Sequence, residues 1–231
     1  MSNLFFQFST RSDGNMRLGD GFDPSQNRQS FLARIGLKPT NIIGAKLDHG
    51  NRVAVVNEND LGQVIDKTDG LIVAQTGVFL AVTVADCLPI VIYQPARQLI
   101  ALLHVGWQGL AKGIIKQAVS KLEQKFEVKT SDLSVLIGPG IGVCHYEVQP
   151  DFLANFPETG VSKKQDGKVF FDLKKTAQNQ LLTLGIVEQK ITVSSVCTYC
   201  QADKYFSFRK DQTKPVKAML VVAGLGQANI L

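Results

Sequence analysis

The chain contains few of the side chains that bind metals or cross-link proteins. Its 231 residues include three histidines, four cysteines and one tryptophan. The N-terminal segment lacks the basic start and the small-residue cleavage site of a secretory signal peptide. We therefore expect a soluble, cytoplasmic protein. The reducing environment of the cytoplasm leaves cysteines free for chemistry or packing rather than for a disulfide framework.

Long apolar runs and concentrated charge are also missing. Apolar segments such as LIALLHVG are far shorter than the roughly 20 residues that cross a membrane, so we expect no membrane partner. Lysine and arginine total 25 against 20 acidic residues, which gives a net charge of +5. Because the basic residues are spread along the chain and interspersed with acids, the pattern argues against a nucleic-acid partner. A mildly basic surface still suits an anionic substrate such as phosphate.

The order of the predicted elements limits the fold class. Apolar alternation predicts strands over 1–10, 41–48, 52–57, 70–75, 78–84, 88–94, 98–104, 133–137, 191–196 and 218–223. Helical spacing predicts helices over 24–36, 109–126, 150–156 and 172–185. This irregular order favours a mixed α/β sandwich over a doubly wound parallel sheet. Since no repeat or linker interrupts the chain, we expect one domain over residues 1–231.

Three of the scarce residues, His49, Cys87 and His104, stand at the edges of apolar runs beside turn-forming residues. Two imidazoles and one thiolate are a ligand set for zinc or copper, and three protein ligands leave a fourth position open for catalysis. Their separations of 38 and 17 residues do not fit a zinc finger, so the fold must bring them together. A buried cysteine and two structural histidines without metal are the alternative on residue type alone.

Two short segments flank these candidates. Asp86 precedes Cys87 in VADCLP and is expected to orient a ligand or to act as a proton acceptor. In a regular strand the two side chains would point to opposite faces, so one of them must lie at a turn. After His104, Gly106 and Gly109 allow the backbone to approach a ligand closely, as at an anion-binding helix start.

Two further loops carry reactive side chains. The segment IGPGIGVCHYEV contains Cys144, His145 and Glu147, and SSVCTYCQADKYFSFRKD contains a CxxC pair. A zinc ribbon requires a second CxxC pair, and the sequence has none. We therefore expect Cys197 and Cys200 to be structural or to line a substrate pocket. The aromatic residues and the arginine that follow them suit a flat ring and an anion.

Together the motifs DHGNR, ADCLPIVIY, HVGWQGLAKGI, IGPGIGVCHYEV and CTYCQADKYFSFRKD resemble those of the YfiH/DUF152 family. This family is also called polyphenol oxidase or laccase-like. Its members include purine nucleoside phosphorylase/adenosine deaminases and peptidoglycan editing factors. The motifs follow the family order over about residues 5–223. The resemblance implies an α+β fold, an α/β/β/α sandwich of mixed sheets, and it implies that His49, Cys87 and His104 bind the metal.

The resemblance also implies the chemistry. We expect zinc, with copper less favoured, to support phosphorolysis of adenosine, inosine, guanosine and methylthioadenosine, together with adenosine deamination. The partners would be a purine nucleoside and phosphate. The expected catalytic residues are Cys87, His104 and Asp86, and either Asp86 or Glu147 would protonate the ammonia that leaves in deamination. The expected substrate-binding residues are Arg11, Gly106, Gln108, Cys144, Glu147 and Arg209.

The sequence departs from the family pattern at several positions. Gln108 stands where the family usually has Arg or Lys, and a neutral amide cannot replace a bidentate cation on phosphate. Leu47-Asp48 replaces Gln-Val, DGNM follows the STR motif in place of GGVS, and Val216-Lys217 replaces Gly-Arg. We therefore expect phosphorolysis to be weaker than deamination.

Three other functions fit parts of the pattern. Cys87 as nucleophile and His104 as base would form a metal-free hydrolase acting on cell-wall-related substrates. A copper-dependent polyphenol oxidase also fits a His₂Cys set, although one such site cannot hold the several coppers of a laccase. A non-enzymatic role in cell-wall maintenance is the third alternative.

Overall fold

Two mixed β-sheets stacked face to face form the centre of the protein, and helices cover both outer faces. A computed structural model describes residues 4–17, 25–157 and 159–226. Its helices are α1 (Ser25–Arg34), α2 (Trp107–Ala111), α3 (Ile114–Phe126), α4 (Leu173–Thr183) and α5 (Phe208–Asp211). Its strands are β1 (Leu4–Phe8), β2 (Ile42–Ala45), β3 (Val53–Val55), β4 (Val64–Ile65), β5 (Gly70–Val73), β6 (Phe79–Val84), β7 (Leu88–Gln94), β8 (Leu99–Val105), β9 (Ser134–Ile137), β10 (Glu147–Val148), β11 (Ser162–Gln165), β12 (Lys168–Phe171), β13 (Ile191–Val193) and β14 (Met219–Leu225).

Both large sheets mix parallel and antiparallel pairs. One sheet has the order β1-β14-β6-β2-β4, and the other has the order β13-β9-β7-β8-β5-β3. A small third sheet has the order β10-β12-β11. β1 lies at the edge of the five-stranded sheet. Residues 1–3 of the predicted strand and residue 24 of the predicted first helix lie outside the described residues.

Strands β7 and β8 show why the sheets stack. In β8, Ile100 and Leu102 face the other sheet, whereas Ala101 and Leu103 belong to the core beneath the helices. Both faces are therefore apolar, which is typical of strands buried between two layers.

Helices close the two outer faces. The buried stripe of α3 packs together with α4 on the six-stranded sheet. Phe31 and Leu32 of α1 cover the five-stranded sheet. The predicted α/β/β/α sandwich of mixed sheets is therefore confirmed. Within the described part of the chain, no helix is long and apolar enough to cross a membrane.

The structure corrects several predicted elements. The helix predicted over 109–126 is two helices, because Gly113 has a φ of 77° and breaks the hydrogen-bond ladder between them. The segment predicted as a helix over 150–156 is a 3₁₀ helix, Pro150–Asn155. The sequence did not predict β4, β10, β11, β12 or α5. These elements have two to four residues, which is too short for a periodic signal.

Strand register places the candidate metal ligands side by side. β7 pairs antiparallel with β8, so that Leu88 lies opposite Val105 and Pro89 opposite His104. Cys87 immediately precedes β7 and therefore lies beside the end of β8. β5 pairs with the other side of β8, with Gly70 opposite Leu103, and this register places Asp69 next to His104.

Candidate metal centre and its cavity

The structure brings His49, Cys87 and His104 together. One possible ligand atom from each lies within 4.8 Å of the other two. His104 is buried, Cys87 is half-buried and His49 is exposed. The two imidazole rings are perpendicular, with their centroids 4.9 Å apart. Nitrogen and thiolate donors fit zinc or copper, and three of them leave a coordination position for another ligand.

Asp69 holds two of these ligands in place. This fully buried carboxylate lies 2.9 Å from Nδ1 of His104, so Nε2 is left to face the cluster. It also accepts the backbone N–H groups of Asp48, His49 and Gly50 at 2.8–3.2 Å. His49 has a φ of 59°, and these bonds stabilise that left-handed turn. A carboxylate behind a ligating histidine is a common outer-shell arrangement.

Sequence reasoning missed Asp69. It stands in TDG directly before the apolar strand β5, so an acidic residue at the start of a buried strand was the available signal. Such a residue is more often a turn former. Only the register of β5 with β8 shows that it faces a histidine.

Electrostatics favour a charged Cys87–His104 pair. Burial alone would raise the pKa of Cys87, but the neighbouring imidazoles of His104 and His49 outweigh it and lower the pKa to about 6. Burial opposes the charged form of His104, yet Cys87 and Asp69 raise its pKa to about 9. The thiol is therefore prepared to act as a thiolate, either as a metal ligand or as a nucleophile.

Gly106 and Gly109 pack closely against neighbouring parts of the chain. A Cβ atom on Gly106 would lie 2.8 Å from Sγ of Cys87, and one on Gly109 would lie 2.8 Å from the carbonyl oxygen of Gly50. The start of α2 can therefore pack directly against the ligand loops.

Asp86 lies at the turn that the sequence required, with a φ of 78°. Its buried carboxylate accepts hydrogen bonds from Oγ1 of Thr198 at 2.6 Å, Oγ of Ser207 at 3.0 Å and the backbone N–H of Arg209 at 2.7 Å. Burial raises the pKa of Asp86. The side chain therefore anchors the segment 198–209 beside the metal centre.

A cavity of about 580 Å³ opens onto the three ligands. Its wall combines basic side chains with aromatic ones and includes Asp86 and Gly106. The basic residues are Arg17, Arg28, Lys46 and Arg209, and the aromatic residues are Trp107, Tyr146 and Phe208. Such a wall suits a flat ring joined to an anionic group.

Arg209 links this cavity to a second one. Its guanidinium donates to the carbonyl of Glu147 at 2.8 Å and lies 5.3 Å from the ring centroid of Tyr146. The adjoining cavity measures about 540 Å³ and is lined by Trp107, Tyr146, Glu147 and Arg209 among others. Glu147 itself pairs with Lys168 at 3.0 Å.

The remaining expected substrate residues lie outside the described lining of the metal cavity. Arg11 pairs with Asp211 at 2.7 Å and lies over the ring of Phe206. Gln108 is exposed on α2. Sγ of Cys144 lies 3.6 Å from Sγ of Cys200.

Known proteins resemble this chain over nearly its whole length. A family model described as multi-copper polyphenol oxidoreductase laccase matches residues 16–223. The chain is 34% identical over 207 residues to purine nucleoside phosphorylase YlmD of Geobacillus stearothermophilus, covering 84% of this chain and 76% of that protein. It is 31% identical over 231 residues to purine nucleoside phosphorylase Cgl2154/cg2365 of Corynebacterium glutamicum, covering 93% and 92%.

The crystal structure of the hypothetical protein YfiH from Bacillus licheniformis has the same fold. It superposes with a TM-score of 0.88 at 26% identity and covers 96% of this chain and 92% of that one. The family resemblance expected from the motifs is confirmed.

Proposed function

The chain belongs to the multi-copper polyphenol oxidoreductase laccase family, and we propose that it is a zinc-dependent purine nucleoside enzyme. It would cleave adenosine, inosine, guanosine and methylthioadenosine with phosphate to give the free base and a pentose 1-phosphate. It would also deaminate adenosine to inosine. The observation that carries the proposal is a three-ligand Cys/His cluster at a cavity with both aromatic and basic walls. Relatives named purine nucleoside phosphorylase support it.

The donor set determines what a metal contributes. When bound, zinc would supply Lewis-acid chemistry and make water acidic near neutral pH. Asp69 keeps the ring of His104 in one orientation, and the low pKa of Cys87 keeps its sulfur available as an anionic ligand.

The cavity wall would bind the two halves of the substrate. Tyr146, Trp107 and Phe208 offer ring faces to a purine, because aromatic rings favour stacked or edge contacts. Arg209 and the other cations of the wall would attract phosphate and the charge that develops on it. Arg209 is held in place through its own contact with Glu147.

Asp86 is better placed than Glu147 to protonate the departing ammonia in deamination. Asp86 lines the metal cavity, and burial raises the pKa of its carboxyl group, which is the direction of shift that a general acid requires. Glu147 lines the adjoining cavity instead and pairs with Lys168.

Turnover of nucleosides by the zinc-loaded, full-length protein tests the proposal. Adenosine should give inosine without phosphate, and added phosphate should release free base and ribose 1-phosphate, both measured by liquid chromatography. Cys87→Ala and His104→Ala should lose both activities while keeping the circular dichroism spectrum of the parent. If the zinc-loaded parent converts no purine nucleoside under either condition, the proposal is wrong.

A Cys-His hydrolase is the second candidate, favoured by the lowered pKa of Cys87 beside His104. Such an enzyme needs no metal. Hydrolysis of ester or amide substrates that survives complete chelation, but not Cys87→Ala, would favour it. The family description points instead to copper, so copper-loaded protein should be assayed in parallel for oxidation of phenols.

A further inference from the structure

A second cluster of metal-binding side chains lies outside the centre described above. Cys144 and His145 come from the loop between β9 and β10, and Cys197 and Cys200 come from the segment after β13. One possible ligand atom from each lies within 4.8 Å of all the others. The fold therefore places the CxxC pair next to Cys144 and His145, which supply the two further ligands that a second CxxC pair would provide in a zinc ribbon.

The ligand atoms lie close enough together for one tetrahedral ion, with the sulfur–sulfur distance near the bound value and the two nitrogen–sulfur distances slightly below it. Sγ of Cys144 and Sγ of Cys200 are 3.6 Å apart, and Nδ1 of His145 lies 3.2 Å and 3.3 Å from these two sulfurs. Zinc bonds of about 2.3 Å to sulfur and 2.0–2.1 Å to nitrogen place tetrahedral ligand atoms roughly 3.5–3.8 Å apart. A disulfide requires sulfurs about 2.05 Å apart, so the described arrangement is not one.

A backbone donor and a glycine adjoin the sulfurs of the cluster. Sγ of Cys197 accepts the backbone N–H of Gly142 at 3.2 Å and interacts with the backbone N–H of Cys200. Hydrogen bonds from the backbone to a metal-bound sulfur are the outer shell that such sites use. A Cβ atom on Gly142 would lie 3.2 Å from Sγ of Cys144 and 3.3 Å from Sγ of Cys197, so the glycine makes room for the cluster.

Two further contacts hold the ligands in place. The ring of His145 stacks on Tyr199, with centroids 4.0 Å apart and planes 17° apart. The ammonium of Lys174 donates to the carbonyls of Ser194 and Val196, which fixes the backbone just before Cys197. This cation also offsets part of the negative charge of three thiolates beside a divalent ion.

We propose that Cys144, His145, Cys197 and Cys200 bind a zinc ion in a closed, structural Cys₃His site. Four protein ligands leave no open position for substrate, in contrast to the three-ligand centre. Three thiolates with one imidazole favour zinc over harder cations.

The site ties together two loops that form the cavity wall. Tyr146 directly follows His145, and Phe208 and Arg209 follow Cys200 by eight and nine residues. Asp86 also holds the segment that contains Cys197 and Cys200, through hydrogen bonds from Thr198 and Ser207. Zinc would therefore fix the aromatic and cationic wall without contacting the substrate.

Metal analysis of a variant that lacks the first metal centre tests the Cys₃His site separately. Full-length Cys87→Ala protein, expressed with zinc and purified without chelators, should retain one zinc per chain by elemental and native mass spectrometry. Adding Cys200→Ser should remove it, whereas adding Cys200→His should preserve it as a Cys₂His₂ site. Gln201→Ala is the matched control at the neighbouring exposed position and should leave zinc unchanged.

Cobalt replacement provides a second, spectroscopic readout of the ligands. The parent loaded with cobalt should show thiolate charge-transfer absorption of four sulfurs over two ions, and the Cys87→Ala protein should retain three quarters of it. A Cys87→Ala protein that carries no zinc, or copper in its place, would overturn the proposal. A native mass that shows a Cys144–Cys200 disulfide would overturn it as well. The test measures metal binding and not nucleoside turnover, so its outcome is independent of the proposed function.

Discussion

The carboxylate of Asp69 and the imidazole of His104 form a buried pair, with 2.9 Å between Oδ1 and Nδ1. The same carboxylate accepts the backbone N–H of His49 at 3.1 Å. One side chain therefore sets the ring orientation of one candidate ligand and the backbone of another. Neighbouring His104 and the backbone donors keep the pKa of Asp69 well below its usual range despite its burial, so it stays ionised across the physiological range.

Asp69→Asn should weaken the first metal centre. The amide can still occupy the space, but it loses the charge that fixes His104 and part of the acceptor capacity for the turn at His49. Loss of an outer-shell partner typically lowers metal affinity about 10–100-fold. Competition with a chromogenic chelator measures this change. Asp66→Asn, at an exposed carboxylate paired with Lys46, is the control and should leave affinity unchanged, and equal affinities for both variants would contradict the role of Asp69.

Gly106→Ala should displace the candidate ligand Cys87, and it should do so without straining the backbone. The glycine has a φ of −85°, which any residue adopts, but the added methyl would lie 2.8 Å from Sγ of Cys87. We expect the variant to fold with less than one metal in the first centre. Gly44→Ala, whose methyl would lie at 3.4 Å from its nearest neighbour, is the control for a sheet glycine. Full metal content in Gly106→Ala would show that the contact is easily relieved.

The low pKa of Cys87 predicts a pH profile for the metal-free protein. Thiolate is the reactive form, so alkylation of Cys87 should be nearly constant from pH 9 to 7 and should fall as the pH drops through about 6. His104→Ala removes the main cationic partner, and the midpoint should then move up toward the ordinary value of about 8.5. Peptide mapping of alkylated protein separates Cys87 from the other three cysteines. A midpoint near the ordinary value in the parent would contradict the pairing.

The sequence drew attention to the three residues of the candidate centre because they are rare and stand at the edges of apolar runs. His49, Cys87 and His104 stand where apolar runs stop, and apolar periodicity predicted most of those strands correctly. Nothing local marks Asp69 as their partner, because its role depends on the register between β5 and β8. Contacts between residues far apart in sequence are set by strand pairing, and alternation within one strand does not fix that pairing.

The second cluster was missed for a different reason. The sequence drew attention to the CxxC pair and to Cys144 separately, and it predicted a structural or pocket-lining role for the pair and substrate binding for Cys144. Their proximity follows from a parallel bridge between Gly140 and Cys197, outside any strand long enough to predict. The helix break at Gly113 was also not predicted, because one glycine within an apolar helical pattern is often tolerated.

Phe208 offers the sharpest test of the substrate-binding wall. Its side chain is 58% exposed, although it lines the cavity beside Arg209. An exposed phenylalanine contributes little to folding, so Phe208→Ala should change the free energy of unfolding by no more than about 0.5 kcal/mol. Loss of a ring contact worth about 0.5–1.5 kcal/mol should raise KM for adenosine roughly 2–13-fold, with kcat less affected. Val187→Ala, at an exposed apolar residue outside the described cavity lining, is the matched control and should change neither quantity. An unchanged KM in Phe208→Ala would mean that the purine does not contact this ring, and a large loss of stability would mean that the ring packs in the fold instead.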